Sequence, residues 1–180
     1  MIRAIAGLLT LLAMCAPLSG RCSGVSEYQL KAVFLFNFSE FVSWPPRAFP
    51  QLDTPLVIGV LGHDPFGGEL DAVVRGEHVG SHALVVQRYQ DVSQVGNCQI
   101  LFIDRSQSPE LHRVLDALRG RAILTVSDIE GAAASGVMID LVRNDDHIRL
   151  LVNIEAARAS GLGLSAKLLR PAQIVSTSGD

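Results

Sequence analysis

The residues best suited to chemistry fall in three short segments: His63-Asp64, Asp104-Arg105-Ser106 and Ser127-Asp128. Each follows an apolar run that reads as a strand. In a parallel sheet all three would meet at the strands' carboxyl ends, where open α/β sheets bind ligands. Three aspartates and a histidine gathered there could hold a divalent cation or serve acid/base work. Capping is the simpler expectation: Asp64 precedes Pro65 and Asp128 precedes the short turn Ile129-Glu130-Gly131, so both carboxylates can satisfy backbone N–H groups without catalysis.

Other motifs carry less. Gly62, Gly67 and Gly68 near a helix start invite a phosphate-loop reading. Neither G-x-x-x-x-G-K-[ST] nor G-x-G-x-x-G is present, however, and the loop lacks a lysine. No G-x-S-x-G frames a serine nucleophile, and the five histidines form no H-E-x-x-H. No catalytic residue, cofactor or metal is therefore expected, and the chain reads as a binding protein rather than an enzyme. His147 and Arg149 alternate along a strand and would project from one face. Two cations side by side suit an anionic ligand or an acidic partner surface, unless they are only the wet face of a hairpin. Cys98 directly precedes Gln99-Ile100-Leu101-Phe102-Ile103, which predicts a small buried hydrophobe rather than a redox thiol.

The elements that must carry these residues follow from periodicity. Ser26 to Trp44 reads as a helix with Ser26 as N-cap and Pro45-Pro46 as its stop. Leu30, Val33, Phe34, Phe41 and Val42 fall on one face, with Leu35 and Phe36 turned away from it. Such a helix is apolar nearly all round, so it is either sandwiched in a core or offers a second face to a partner. Leu35 and Phe36 are accordingly candidates for a partner or dimer contact. Strands are predicted at 55–61, 83–88, 99–103 and 122–126, with helices from Pro65 to about Arg75 and from Pro109 to Leu118. Segments 137–143 and 147–152 flank Asn144-Asp145-Asp146 and read as a hairpin. Asn153 can cap a helix through Ala159, and 165–174 reads as a last helix interrupted by Pro171. The expected fold is one α/β domain, its mostly parallel sheet flanked by helices on both faces, with an antiparallel hairpin at the edge.

The first residues set the compartment. Met1-Ile2-Arg3 is a positive start, Ala4 to Ala16 an apolar run, and small residues follow Pro17, so residues 1–26 read as a cleaved secretory signal. The run falls short of the ~20 apolar residues that span a bilayer. The predicted organisation is signal 1–26, domain 27–175 and a flexible tail 176–180, with the mature chain in the periplasm. Cys15 and Cys22 would leave with the signal, so Cys98 would have no internal disulfide partner. Without Arg3 and Arg21 the formal charge falls from −3 to about −5, and nucleic acid is not an expected partner.

Several blocks taken in order resemble the YfiR-like family, domain of unknown function 4154. They are Glu27 to Phe38 with Phe41-Val42 and Trp44-Pro45; Ile58 to Gly62 with Asp64-Pro65-Phe66-Gly67; Cys98 to Ile103; Leu124 to Asp128; and Ile148-Arg149 leading to Asn153 and Ser165 to Leu169. The resemblance implies a periplasmic negative regulator. It would bind the periplasmic sensory region of an inner-membrane diguanylate cyclase, lowering cyclic di-GMP and biofilm formation. It also implies homodimers and no catalytic residues. The alternative it leaves open is a periplasmic module that binds a small-molecule ligand and regulates another membrane sensor. The chain departs from the family's pattern in lacking paired cysteines after signal removal.

Overall fold

The computed structural model describes residues 26–145 and 147–177. The expected secretory signal, apart from Ser26, lies outside the described residues with Cys15 and Cys22, as does the 178–180 end of the expected tail.

Helix α1 (Glu27–Phe41) starts where Ser26 accepts from the Gln29 N–H while the Gln29 side chain accepts from the Ser26 N–H, a reciprocal capping box. It ends earlier than Trp44. Val42–Ser43 instead form a short strand, β1, paired with β9 (Gly163–Leu164). Trp44 donates to the Gln99 carbonyl at 3.2 Å and fixes the exit of the chain beneath the sheet.

The main sheet has eight strands: β2 (Leu56–Leu61), β3 (His78–Val79), β4 (His82–Tyr89), β5 (Ile100–Ile103), β6 (Leu124–Ser127), β7 (Ile139–Asn144), β8 (His147–Val152) and β10 (Gln173–Ile174). They lie in the order β10-β8-β7-β6-β5-β2-β4-β3. The run β7-β6-β5-β2-β4 is parallel. Its middle strands are apolar without alternation because both faces are covered, as β2 shows with every residue buried. The predicted hairpin forms as β7 and β8, joined antiparallel with Asn144 opposite His147. It is not the edge of the sheet. After Pro171 the chain adds β10 outside β8, where a helix continuing to Ile174 was expected, and β3 closes the opposite edge. Proline removes a backbone donor, so helix α5 (Ala166–Leu169) stops before it and the following residues extend.

Two cores sandwich the sheet. Helices α1, α2 (Glu69–Val74), α4 (Ile154–Ala159) and α5 contribute Leu35, Phe38, Leu70, Ala157 and Leu168 to one face. On the other face α3 (Leu111–Leu118) packs Leu111, Val114 and Leu118 against Val57, Leu101 and Ile103. Helix α2 begins four residues after the predicted Pro65, because Gly67 takes a positive φ of 56° and delays the helical turn. No helix among the described residues is long and apolar enough to cross a membrane.

The phase of α1 differs from the expectation. Lys31, Ala32, Leu35, Phe38 and Ser39 form its buried stripe, and Val33 is left 42% exposed. Leu35 is fully buried in the core, so it is not an exposed contact residue. Phe36 is half-buried and packs against the same core. With apolar residues on every side the helix carries almost no amphipathic signal, and the charged Lys31 sets which face turns inward.

Candidate functional site

Across the sheet the parallel strands lie in the order β4-β2-β5-β6-β7, so the direction of winding reverses between β2 and β5, the switch point where such sheets usually open a crevice. Here that crevice is closed. Gly62 turns with φ +97°, and a Cβ there would sit 2.5 Å from Ser106 Oγ, which in turn accepts from the His63 N–H at 3.2 Å. The two loops are locked together. Open space appears instead further along the strand ends, as a cleft of about 540 Å³ lined by Arg105, Ser108, Asp128, Ile129, Glu130, Val142 and Arg143.

The floor of this region is a charged cluster centred on Lys31, which is fully buried. Its ammonium lies 2.5 Å from Asp128 Oδ2 and 2.5 Å from Glu27 Oε1, and 4.6 Å from the centre of the Tyr28 ring. The positions Glu27, Tyr28 and Lys31 share one helical face, since residues three and four apart are neighbours on a helix. Tyr28 OH donates to Asp128 Oδ2 at 3.0 Å. Burial and the Asp128 carboxylate push the Tyr28 hydroxyl up to about 12, so it stays a donor at any ordinary pH. From the strand ends, Arg105 Nε lies 3.3 Å from Asp128 Oδ2 and donates to the Asp128 carbonyl at 3.2 Å. Arg143 donates to Glu27 Oε2 at 3.0 Å, and Arg105 Nη2 is 3.6 Å from Glu27 Oε1. Burial alone would raise the Glu27 carboxyl, but bonds from Lys31 and Arg143 and the nearby Arg105 charge outweigh it and hold the group below its usual range.

Asp140 lies behind the cluster on β7 and is fully buried, and neither carboxyl oxygen has a hydrogen-bond partner of good geometry. Burial pushes it up to about 6, with the Asp128 charge adding to the rise. The Ala133 and Ala132 N–H groups and Lys31 oppose it. Asp128 Oδ1 is likewise buried and unpartnered.

Of the residues picked from sequence, Arg105 and Asp128 come together and the others do not. Asp104 accepts from the Ser106 N–H at 2.9 Å, as a cap does. Asp64 accepts from the Phe66 N–H at 2.8 Å and pairs with Arg88, and His63 is exposed away from the cluster. Asp128 is not a turn cap. That service falls to Ser127, whose Oγ accepts from the Ile129 N–H, freeing the Asp128 side chain for Lys31. His147 and Arg149 are both exposed, and Arg149 donates to Gln173 of β10 at 2.7 Å. Cys98 is buried; burial pushes its thiol up to about 12, and it donates to the Ile100 carbonyl. Glu27, Tyr28, Lys31, Arg143 and Asp140 were missed. The available signal was a lone lysine in the middle of an apolar helical run, with an acid four residues before it. No group of acids, cysteines and histidines suited to a metal ion occurs among the described residues.

Fold and cluster together define a doubly wound α/β protein whose charged groups at the strand ends are largely paired with one another. Residues 28–173 match the family described as YfiR/HmsC-like, domain of unknown function 4154, and the chain belongs to that family. No curated protein matches the chain.

Proposed function

We propose that this protein is a periplasmic repressor that binds the periplasmic sensory region of an inner-membrane diguanylate cyclase, working as a homodimer. Binding holds the cyclase off, which lowers cyclic di-GMP and restrains biofilm formation. The observation that carries the reading is the family match across nearly the whole domain. The site supports it in one respect: Lys31, Asp128, Glu27 and Tyr28 are engaged with one another, an arrangement that docks α1 on the sheet rather than activating a nucleophile. The exposed strand positions His147 and Arg149, together with the half-buried Phe36, are the contacts we assign to the partner or to a bound anion.

Crosslinking in intact cells followed by peptide identification tests the proposal. The expected result is linkage to the periplasmic region of a membrane-anchored diguanylate cyclase. Reproducible linkage to a different membrane sensor, with no cyclase recovered, would contradict it.

A further inference from the structure

Arg105 and Arg143 approach one another from different parts of the chain because both reach for Glu27. Neither is used up by that contact. A guanidinium has five N–H donors in a fixed fork. Arg105 spends Nε on Asp128 and turns Nη2 toward Glu27, and Arg143 spends Nε on the Asp145 carbonyl and one Nη1 donor on Glu27. Among the described residues, Arg105 Nη1 and Arg143 Nη2 donate to no protein acceptor, and both side chains are more than half exposed on the same cleft. Their aim is nonetheless fixed by the carboxylates behind them, Asp128 buried and Glu27 partly so. That is the arrangement of a preorganised anion clamp.

The chemistry of the cleft narrows the ligand. Three cations, Lys31, Arg105 and Arg143, face Glu27 and Asp128 in the paired cluster; Asp140 lies buried behind it and Glu130 is exposed at the rim. Such a balance suits a singly charged planar group better than a phosphate dianion. Phosphate sites also draw on a mobile lysine or a run of free backbone N–H groups. Lys31 is committed and buried, and Asp104 already occupies the Ser106 N–H at the turn beside Arg105. We infer that the cleft between Arg105 and Arg143 is a binding site for a small organic carboxylate, gripped by the two guanidinium forks.

Calorimetric titration of the exported chain with L-lactate, and separately with inorganic phosphate, tests this. Lactate is expected to bind one per chain and more tightly than phosphate. Arg105→Gln and Arg143→Gln should each weaken it at least tenfold, whereas Arg119→Gln, at an exposed helix end, should not. Arg143→Lys keeps the charge but loses the fork, and should also weaken lactate while leaving the circular dichroism spectrum unchanged. Absence of lactate binding, tighter binding of phosphate, or full affinity in both Arg143 variants would overturn the assignment. These outcomes are independent of whether a cyclase is the partner.

Discussion

Lys31 is the residue on which the strand-end architecture turns. Burying an ammonium is costly unless it is paired and hydrogen-bonded, and removing one member of a buried pair leaves the other uncompensated. Lys31→Met is therefore expected to cost about 3 kcal/mol in urea unfolding, the lower end of the range for such losses because Tyr28 and Arg105 still reach Asp128. Adding Asp128→Leu should recover much of that loss. Asp140 gives a prediction of different form. Its folded value of about 6 lies above the ordinary 3.8, so the folded state binds the extra proton. This group's contribution is at its best below about pH 4 and is lost as pH rises through about 6. Asp140→Asn should raise the melting temperature at pH 7.5 and have little effect near pH 4. An equal shift at both values would show that Asp140 does not hold that proton.

Element by element, the sequence revealed most where one signal dominated. Ser26 and Asn153 announced two helix starts through their side-chain oxygens, and the apolar run 55–61 announced a buried strand. The phase of α1 was illegible, because apolar residues on every side left nothing to choose the inner face until Lys31 found Asp128 nearly a hundred residues away. Strand β10 was hidden for a similar reason: two residues gain strand structure only by lying beside β8. Gly59 shows how tightly β2 is held. A Cβ there would lie 2.7 Å from Tyr89 Cε2 and 2.9 Å from both Cys98 Sγ and Leu101 Cδ1. Gly59→Ala overpacks this core face and is expected to destabilise by about 1–3 kcal/mol, read from the denaturation midpoint.

At the scale of the whole molecule, the doubly wound sheet supplies a frame whose usual switch-point crevice is sealed by the contact between Gly62 and Ser106. The open cleft and the exposed cations lie instead at the neighbouring strand ends and on the outer strands. Part of the candidate site was legible: Arg105 and Asp128 were placed at the strand ends from the alternation of apolar runs and polar loops. Glu27, Lys31 and Arg143 were not, since no local pattern shows that the first helix must dock there. The buried, deprotonation-resistant Cys98 gives the described domain no accessible thiol for redox control. On the proposed function, regulation runs through contact with a partner rather than through thiol chemistry. The cellular level of cyclic di-GMP tests that account most directly. Deleting the gene should raise it, and an exported copy should restore it; an unchanged level in the deletion strain would contradict the account.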